Sequence, residues 1–182
     1  MENPQKLPSI STCAGDTGTS SLGFGGRIPK DSLIFELIGS LDELNSLLGV
    51  CACYCEGEVV EILQQIQHKI FDVSACIACN YDPDETILSF VNKINSWEIE
   101  YNQKITQFKK FILPGGHISS AYLHLARTVC RRAERAEVRC YLDHKNGKII
   151  CQILNRLSDL LFILARYHNT IHGVQDILYI KK

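Results

Sequence analysis

No apolar run in these 182 residues reaches the roughly 18 that a membrane-spanning helix requires, so no membrane partner is expected. Charge of one sign is missing too. Lys and Arg number 19 against 20 Asp and Glu, and a net charge of −1 excludes bulk electrostatic binding to nucleic acid. Sustained period-two alternation is absent, which excludes a large sheet, and no repeat of 20–50 residues occurs. No GxxxxGK[ST] is present, which removes a P-loop. Proline is sparse, and three of the five prolines (Pro4, Pro8 and Pro29) lie in the first 30 residues. Those residues also hold Gly15, Gly18, Gly23, Gly25 and Gly26, a density at which a long regular element is not expected.

Cysteine is the one residue in excess, with nine. The count is odd and the only clusters are Cys51-Ala-Cys53-Tyr-Cys55 and Cys76-Ile-Ala-Cys79. The second is formally CxxC, but it has no second CxxC or HxxxH to complete a zinc set and lies in an apolar helical run. Small thiols filling a core are the reading, and no metal site is expected. Abundant unpaired cysteine fits a reducing compartment. Met1 to Ser11 lacks a secretory or transit pattern, so the expected location is cytoplasmic, or mitochondrial if a transit peptide has been trimmed from a eukaryotic chain.

The length suits one domain across 1–182. From Asp31 the apolar spacing turns helical. A first helix, capped by Asp31 or Ser32, carries Leu33, Leu37, Leu41, Leu44 and Leu48 to about Cys55. A second runs from about Glu58 to Cys79, a third from Asp84 to Lys109, a fourth from Ser119 to Tyr141 and a fifth from Lys148 to Asn169. Asp143 to Gly147 reads as a turn. The fold class is therefore all-α, a five-helix bundle over 31–169 behind a loop over 1–30.

Chemistry concentrates on the fourth helix. Arg127, Arg131 and Arg135 recur at i, i+4, i+8 and share one face, with Arg132 alongside and Glu134 as the nearby acid. Stacked guanidinium groups suit an anion such as a phosphate chain, though a solvated basic face fits the same pattern. The loop Ala14-Gly15-Asp16-Thr17-Gly18-Thr19-Ser20-Ser21 offers hydroxyls and accessible backbone amides, with Arg27 and Lys30 close behind, and Asp16 suits water-bridged Mg²⁺. An ordinary flexible terminus is the alternative. Asp42 shares a helix face with Ile38 and Asn45, a face expected to meet packed surface, and its carboxylate calls for a cation such as an Arg of the basic helix. Asn155 and Asp159 are i, i+4 neighbours, and Asn155 suits either a nucleotide hydroxyl or an interhelical hydrogen bond.

These segments, taken together, resemble the PduO-type ATP:cob(I)alamin adenosyltransferases. The matching stretches are GDxG (Gly15 to Gly18), SSLGFGGRIPKD (Ser20 to Asp31), GSLDELNS (Gly39 to Ser46), FILPGG (Phe111 to Gly116), ARTVCRRAER (Ala126 to Arg135) and LNRLSDLLFILAR (Leu154 to Arg166), in the family's order. The resemblance implies transfer of the 5′-deoxyadenosyl group of ATP to cob(I)alamin, giving adenosylcobalamin and triphosphate, with Mg²⁺ as cofactor. It implies a homotrimer with active sites between subunits. It places ATP against Thr12, Cys13, Ala14, Gly15, Ser20, Ser21 and Lys30 of the loop, and against Arg131, Arg132, Ala133, Glu134, Arg135 and Asn155. It pairs Arg127 with Asp42 across the interface and sets Phe111 against the corrin ring, where it excludes cobalt's lower axial ligand. The catalytic set it implies is Phe111, Arg127, Arg131 and Asp42. A cobalamin reductase and an adenosylcobalamin-dependent mutase or dehydratase would be its partners.

The chain departs from the family pattern in the loop. A basic residue is replaced by Cys13, a hydroxyl by Ala14, a frequent Lys by Thr17 and an acid by Gly26. Each lost phosphate hydrogen bond would cost about 1–3 kcal/mol. The alternative function is therefore a catalytically weakened trimeric ATP- and cobalamin-binding scaffold or cofactor chaperone.

Overall fold

The computed structural model describes residues 11–107, 110–140, 144 and 146–181. A small antiparallel hairpin of β1 (Thr19–Ser21) and β2 (Arg27–Pro29) precedes α1 (Leu33–Tyr54) and α2 (Glu58–Cys79). The one-turn α3 (Glu85–Leu88) leads into α4 (Phe90–Asn102), and the long α5 (Ile118–Cys140) and α6 (Gly147–Ile171) follow. No described helix is long and apolar enough to cross a membrane.

Helix α5 sits between α1 and α6, and its composition explains why it can. Its buried stripe is built of small residues, Ala126, Cys130, Ala133 and Ala136, which let both neighbours approach closely. The larger side chains come from the partners: Leu37, Leu41, Leu44 and Leu48 of α1, and Leu154, Leu157, Leu161 and Leu164 of α6, all fully or nearly fully buried. Burying side chains of this size is worth about 1.5–3 kcal/mol each. Two ion pairs fix α1 antiparallel to α5: Glu36 with Arg139 at 2.7 Å, and Glu43 with Arg132. One end of the bundle thus gathers the start of α1, the end of α2, the end of α5 and the start of α6.

The expected third helix is not continuous. Asp84 caps α3 by accepting from the Ile87 amide at 3.0 Å, and Ser89 closes that turn by donating its hydroxyl to the Glu85 carbonyl at 2.6 Å. Helix α4 then stops at Asn102, whose carbonyl takes a hydrogen bond from the Gln107 side chain at 3.0 Å. Lys109, the expected end, lies outside the described residues, as do Tyr141 and Asp143. Ser32 occupies the first cap position, but its hydroxyl makes no cap bond and is buried without a partner.

The hairpin was not expected in a Gly-rich stretch. Arg27 holds it, donating Nε to the Thr19 hydroxyl at 3.0 Å, one Nη to the Thr19 carbonyl at 2.7 Å, and the same Nη to the Ala14 carbonyl. Gly23 seats it on the end of α2: its amide donates to the Ala78 carbonyl at 2.7 Å, and a Cβ there would lie 2.5 Å from the Cys79 sulfur. At the opposite end, residues 111–113 pair with the C-terminal tail through Tyr179 N–H to the Phe111 carbonyl and Leu113 N–H to the Ile177 carbonyl, both 2.8 Å. Asn169 anchors the preceding-helix loop, donating to the Gly115 carbonyl at 3.0 Å and accepting from the His117 amide at 2.9 Å. Gly116, at φ 105°, leaves the room that Asn169 occupies.

Candidate functional site

The arginine helix splits its cations between tasks. Arg132 turns toward α1 and pairs with Glu43. Arg135 folds back, donating Nη1 to the Arg131 carbonyl at 3.0 Å, while Arg131 and Arg135 both stay exposed. Glu134 accepts from Asn155 Nδ2 at 3.1 Å, so the interhelical hydrogen bond foreseen as one option for Asn155 is present, with α5 and α6 joined through it. Ala133 is fully buried beneath them. Asp159 pairs with Arg156 at 3.4 Å.

Arg127 behaves differently. It is half-buried, and its Nε has no hydrogen-bond partner. Burial, then the neighbouring Arg131 charge, push its pKa down from the usual arginine range, though it keeps its proton. One turn earlier, His124 is buried with both ring nitrogens unpartnered. Burial first, and the Arg127 charge second, lower its pKa to about 4, so the ring is neutral at pH 7. Arg127, His124, Phe162 and Arg166 line a cavity of about 370 Å³ closed on its other side by residues 110–112 and Pro114. Buried polar atoms without partners are rare in folded proteins, and two of the side chains lining this cavity carry them.

Phe111 stands at the cavity rim with 83% of its surface in solvent while its backbone is tied to the tail. A large apolar ring so exposed on so well-held a backbone is poised for contact with something flat and apolar.

The N-terminal loop folds back on itself beside Lys30. The Ala14 amide donates to the Thr12 hydroxyl at 3.4 Å, Cys13 has a positive φ of 56°, and Lys30 Nζ lies beside Gly15, where a Cβ would come within 2.6 Å of it. Ser20 lies on β1 facing Ile28, Ser21 faces Arg27, and Asp16 is exposed.

The chain brings some expected residues together and keeps others apart. Glu134 meets Asn155, Gly15 meets Lys30, and Arg127 meets the Phe111 cavity. Asp42 does not lie against packed surface within the chain: it is exposed, and Glu43, one position on and turned toward α5, takes the arginine. The loop sits at the end where α5 finishes, Phe111 where α5 starts, separated by roughly 30 Å of helix. His124 was missed; its only sequence signal was its position three residues before Arg127, on the same face.

An arginine face, a glycine-rich loop with its lysine, and an exposed aromatic beside a polar-lined cavity, all on one helical bundle, define the class: an all-α protein with a candidate ligand site. Comparison with known proteins names the family. A family model described as cobalamin adenosyltransferase matches residues 10–168, and the chain belongs to that family. A cobalamin adenosyltransferase of Cupriavidus metallidurans is 40% identical over 178 residues, covering 96% of this chain and 95% of that one. The human corrinoid adenosyltransferase MMAB is 38% identical, over 97% of this chain and 75% of its own. Among solved structures, a variant PduO-type ATP:corrinoid adenosyltransferase from Lactobacillus reuteri, complexed with cobalamin and ATP, superposes with a TM-score of 0.89 at 29% identity over 95% of this chain and all of that one.

Proposed function

We propose that this chain transfers the 5′-deoxyadenosyl group of ATP to cob(I)alamin, releasing triphosphate. A Co–C5′ bond forms as the C5′–O bond breaks, and the leaving triphosphate takes the electron pair; no proton moves, so the step asks for no general base. Membership in the family, and a solved relative holding both cobalamin and ATP, support the reading.

The structural observation that carries it is Phe111. Its exposed ring is the apolar surface against which a corrin face can lie, removing the axial ligand below cobalt. A cobalt without that donor accepts the electron that makes it nucleophilic more readily. Arg127 and His124 then offer unfilled hydrogen bonds to polar substituents at the cavity wall. Arg131 and Arg135, without carboxylate partners among the described residues, neutralise the charge that develops on the triphosphate, and Lys30 with the amides of Thr12 to Gly15 cradles it. Asp16 is the loop's carboxylate for a water of Mg²⁺, which would offset phosphate charge when bound.

The site lies between subunits of a homotrimer. Loop and phenyl ring stand at opposite ends of one bundle, so one ligand meets both only if neighbouring chains supply them. Asp42, exposed on a single chain, is then available to a neighbour's Arg127. The chain works as one domain, residues 1–30 serving as the ATP loop and 31–169 as the bundle. Its nine free cysteines support a reducing compartment, the cytoplasm or, in a eukaryote, the mitochondrion. A cobalamin reductase would supply the electron, and a mutase or dehydratase would receive the product.

Replacing the ring tests this directly. Phe111→Ala should leave ATP affinity and thermal midpoint unchanged and slow adenosylcobalamin formation at least tenfold, read by anaerobic single-turnover kinetics and ATP titration. Wild-type rates in Phe111→Ala would remove the ring from the reaction.

A further inference from the structure

The end of α5 carries a cluster that the transferase reaction does not use. Glu137 and Cys140 are i, i+3 neighbours on one face of α5, and His144 follows beyond its end. All three are buried, Glu137 with 0%, Cys140 with 1% and His144 with 6% of their surface exposed. One ligand atom from each, a carboxylate oxygen, a sulfur and a ring nitrogen, lie within 4.8 Å of one another. His144 Nε2 stands 3.2 Å from Glu137 Oε2. Two further polar atoms, Glu137 Oε1 and His144 Nδ1, are buried with no hydrogen-bond partner.

We infer that Glu137, Cys140 and His144 form a binding site for a borderline-soft divalent cation, Zn²⁺ being the ion that fits best. A mixed thiolate, imidazole and carboxylate set is a zinc donor set, whereas Mg²⁺ and Ca²⁺ want oxygen alone. Ligand atoms around a tetrahedral zinc sit roughly 3–4 Å apart, as bond lengths of about 2.0–2.3 Å require, and a 4.8 Å cluster closes to that with small rotamer changes. Burial argues the same way. A carboxylate fully removed from water, with an imidazole as its visible charge partner and one oxygen unsatisfied, is costly unless a cation resolves it. Cys76 and Cys79, the pair whose spacing suggested a metal in the sequence, are not among its ligands.

Bound there, the ion staples the end of α5 to the corner that leads into α6. Glu137 is three residues from Glu134, the partner of Asn155, so the staple braces the helix end that carries Arg131 and Arg135. That consequence rests on the proposed ATP site; the metal site itself does not.

The test is metal content of the full-length chain, purified from zinc-supplemented growth and desalted, by inductively coupled plasma mass spectrometry. About one zinc per chain is expected in the wild type. The same is expected in a Cys76→Ser/Cys79→Ser control, with at least a tenfold loss in Cys140→Ser and in Glu137→Gln. Cobalt-grown wild type should show visible d–d bands and thiolate-to-cobalt charge transfer, and the control should keep both. That spectrum decides the matter even if the site variants fail to fold. Trace metal and no cobalt spectrum in the wild type would overturn the site, as would full zinc in Cys140→Ser. Either result would leave the transferase reading untouched, since activity is not the readout.

Discussion

Buried histidines set this protein's response to acid. His124 and His168 both have pKa values lowered to about 4, burial being the largest cause in each, with Arg127 the next for His124 and His172 for His168. The unfolded chain binds those protons near pH 6.5, the folded one near 4. Between these values the unfolded state holds more protons, so stability rises with pH there and is lost as pH falls from 6.5 toward 4. The loss is on the order of 3 kcal/mol per histidine at its limit. Thermal melts between pH 7 and 4.5 should show the midpoint dropping steeply, and His168→Gln, which removes one titrating ring beside Ser119, should flatten the slope. An unchanged slope in that variant would show that His168 is not among the groups responsible. Residue chemistry of this kind is hard to see in a sequence. Arg127 was legible because it repeats at four-residue spacing; His124 belongs to the same face but stands alone in type, and only burial without partners exposes it.

At the scale of elements, the long helices were legible nearly to the residue, because their buried faces leave a 3.6-residue signature: α2 was expected from Glu58 to Cys79 and runs there. What failed were elements held by side chains rather than by periodicity. The break at Ser89 depends on one hydroxyl, and the hairpin depends on Arg27 and Gly23. The site followed the same division. Glu134 and Asn155 sit on regular faces and meet, whereas choosing Glu43 over Asp42 as the intrachain partner of an arginine takes the helix rotation that only packing sets. The hairpin also yields a prediction. In Gly23→Val the new Cβ would collide with the Cys79 sulfur and the Ala78 carbonyl, lifting the loop from α2. Helical circular dichroism should be preserved while ATP affinity falls about tenfold, equivalent to about 1.4 kcal/mol. Unaltered ATP affinity would mean that the loop's seat on α2 is irrelevant to the nucleotide.

For the whole molecule, the proposed reading, with loop and Phe111 at opposite ends of one bundle, requires assembly for the chemistry. Light scattering should return about three times the 20.5 kDa chain mass. Co-expressing Lys30→Ala with Phe111→Ala, each impaired alone, should restore activity in mixed assemblies, since some sites would then draw an intact loop and an intact ring from different chains. No recovery would place both groups in one chain's own site. The central claim is that this chain, with Cys13 and Ala14 where the family pattern has a basic residue and a hydroxyl, still transfers the adenosyl group. The measurement that tests it most directly is an anaerobic assay with chemically reduced cobalamin, ATP and Mg²⁺, following loss of the Co(I) absorbance. Enzyme-dependent formation of light-sensitive adenosylcobalamin is the predicted result. Tight binding of ATP and cobalamin with no product would contradict it and leave a scaffold in place of an enzyme.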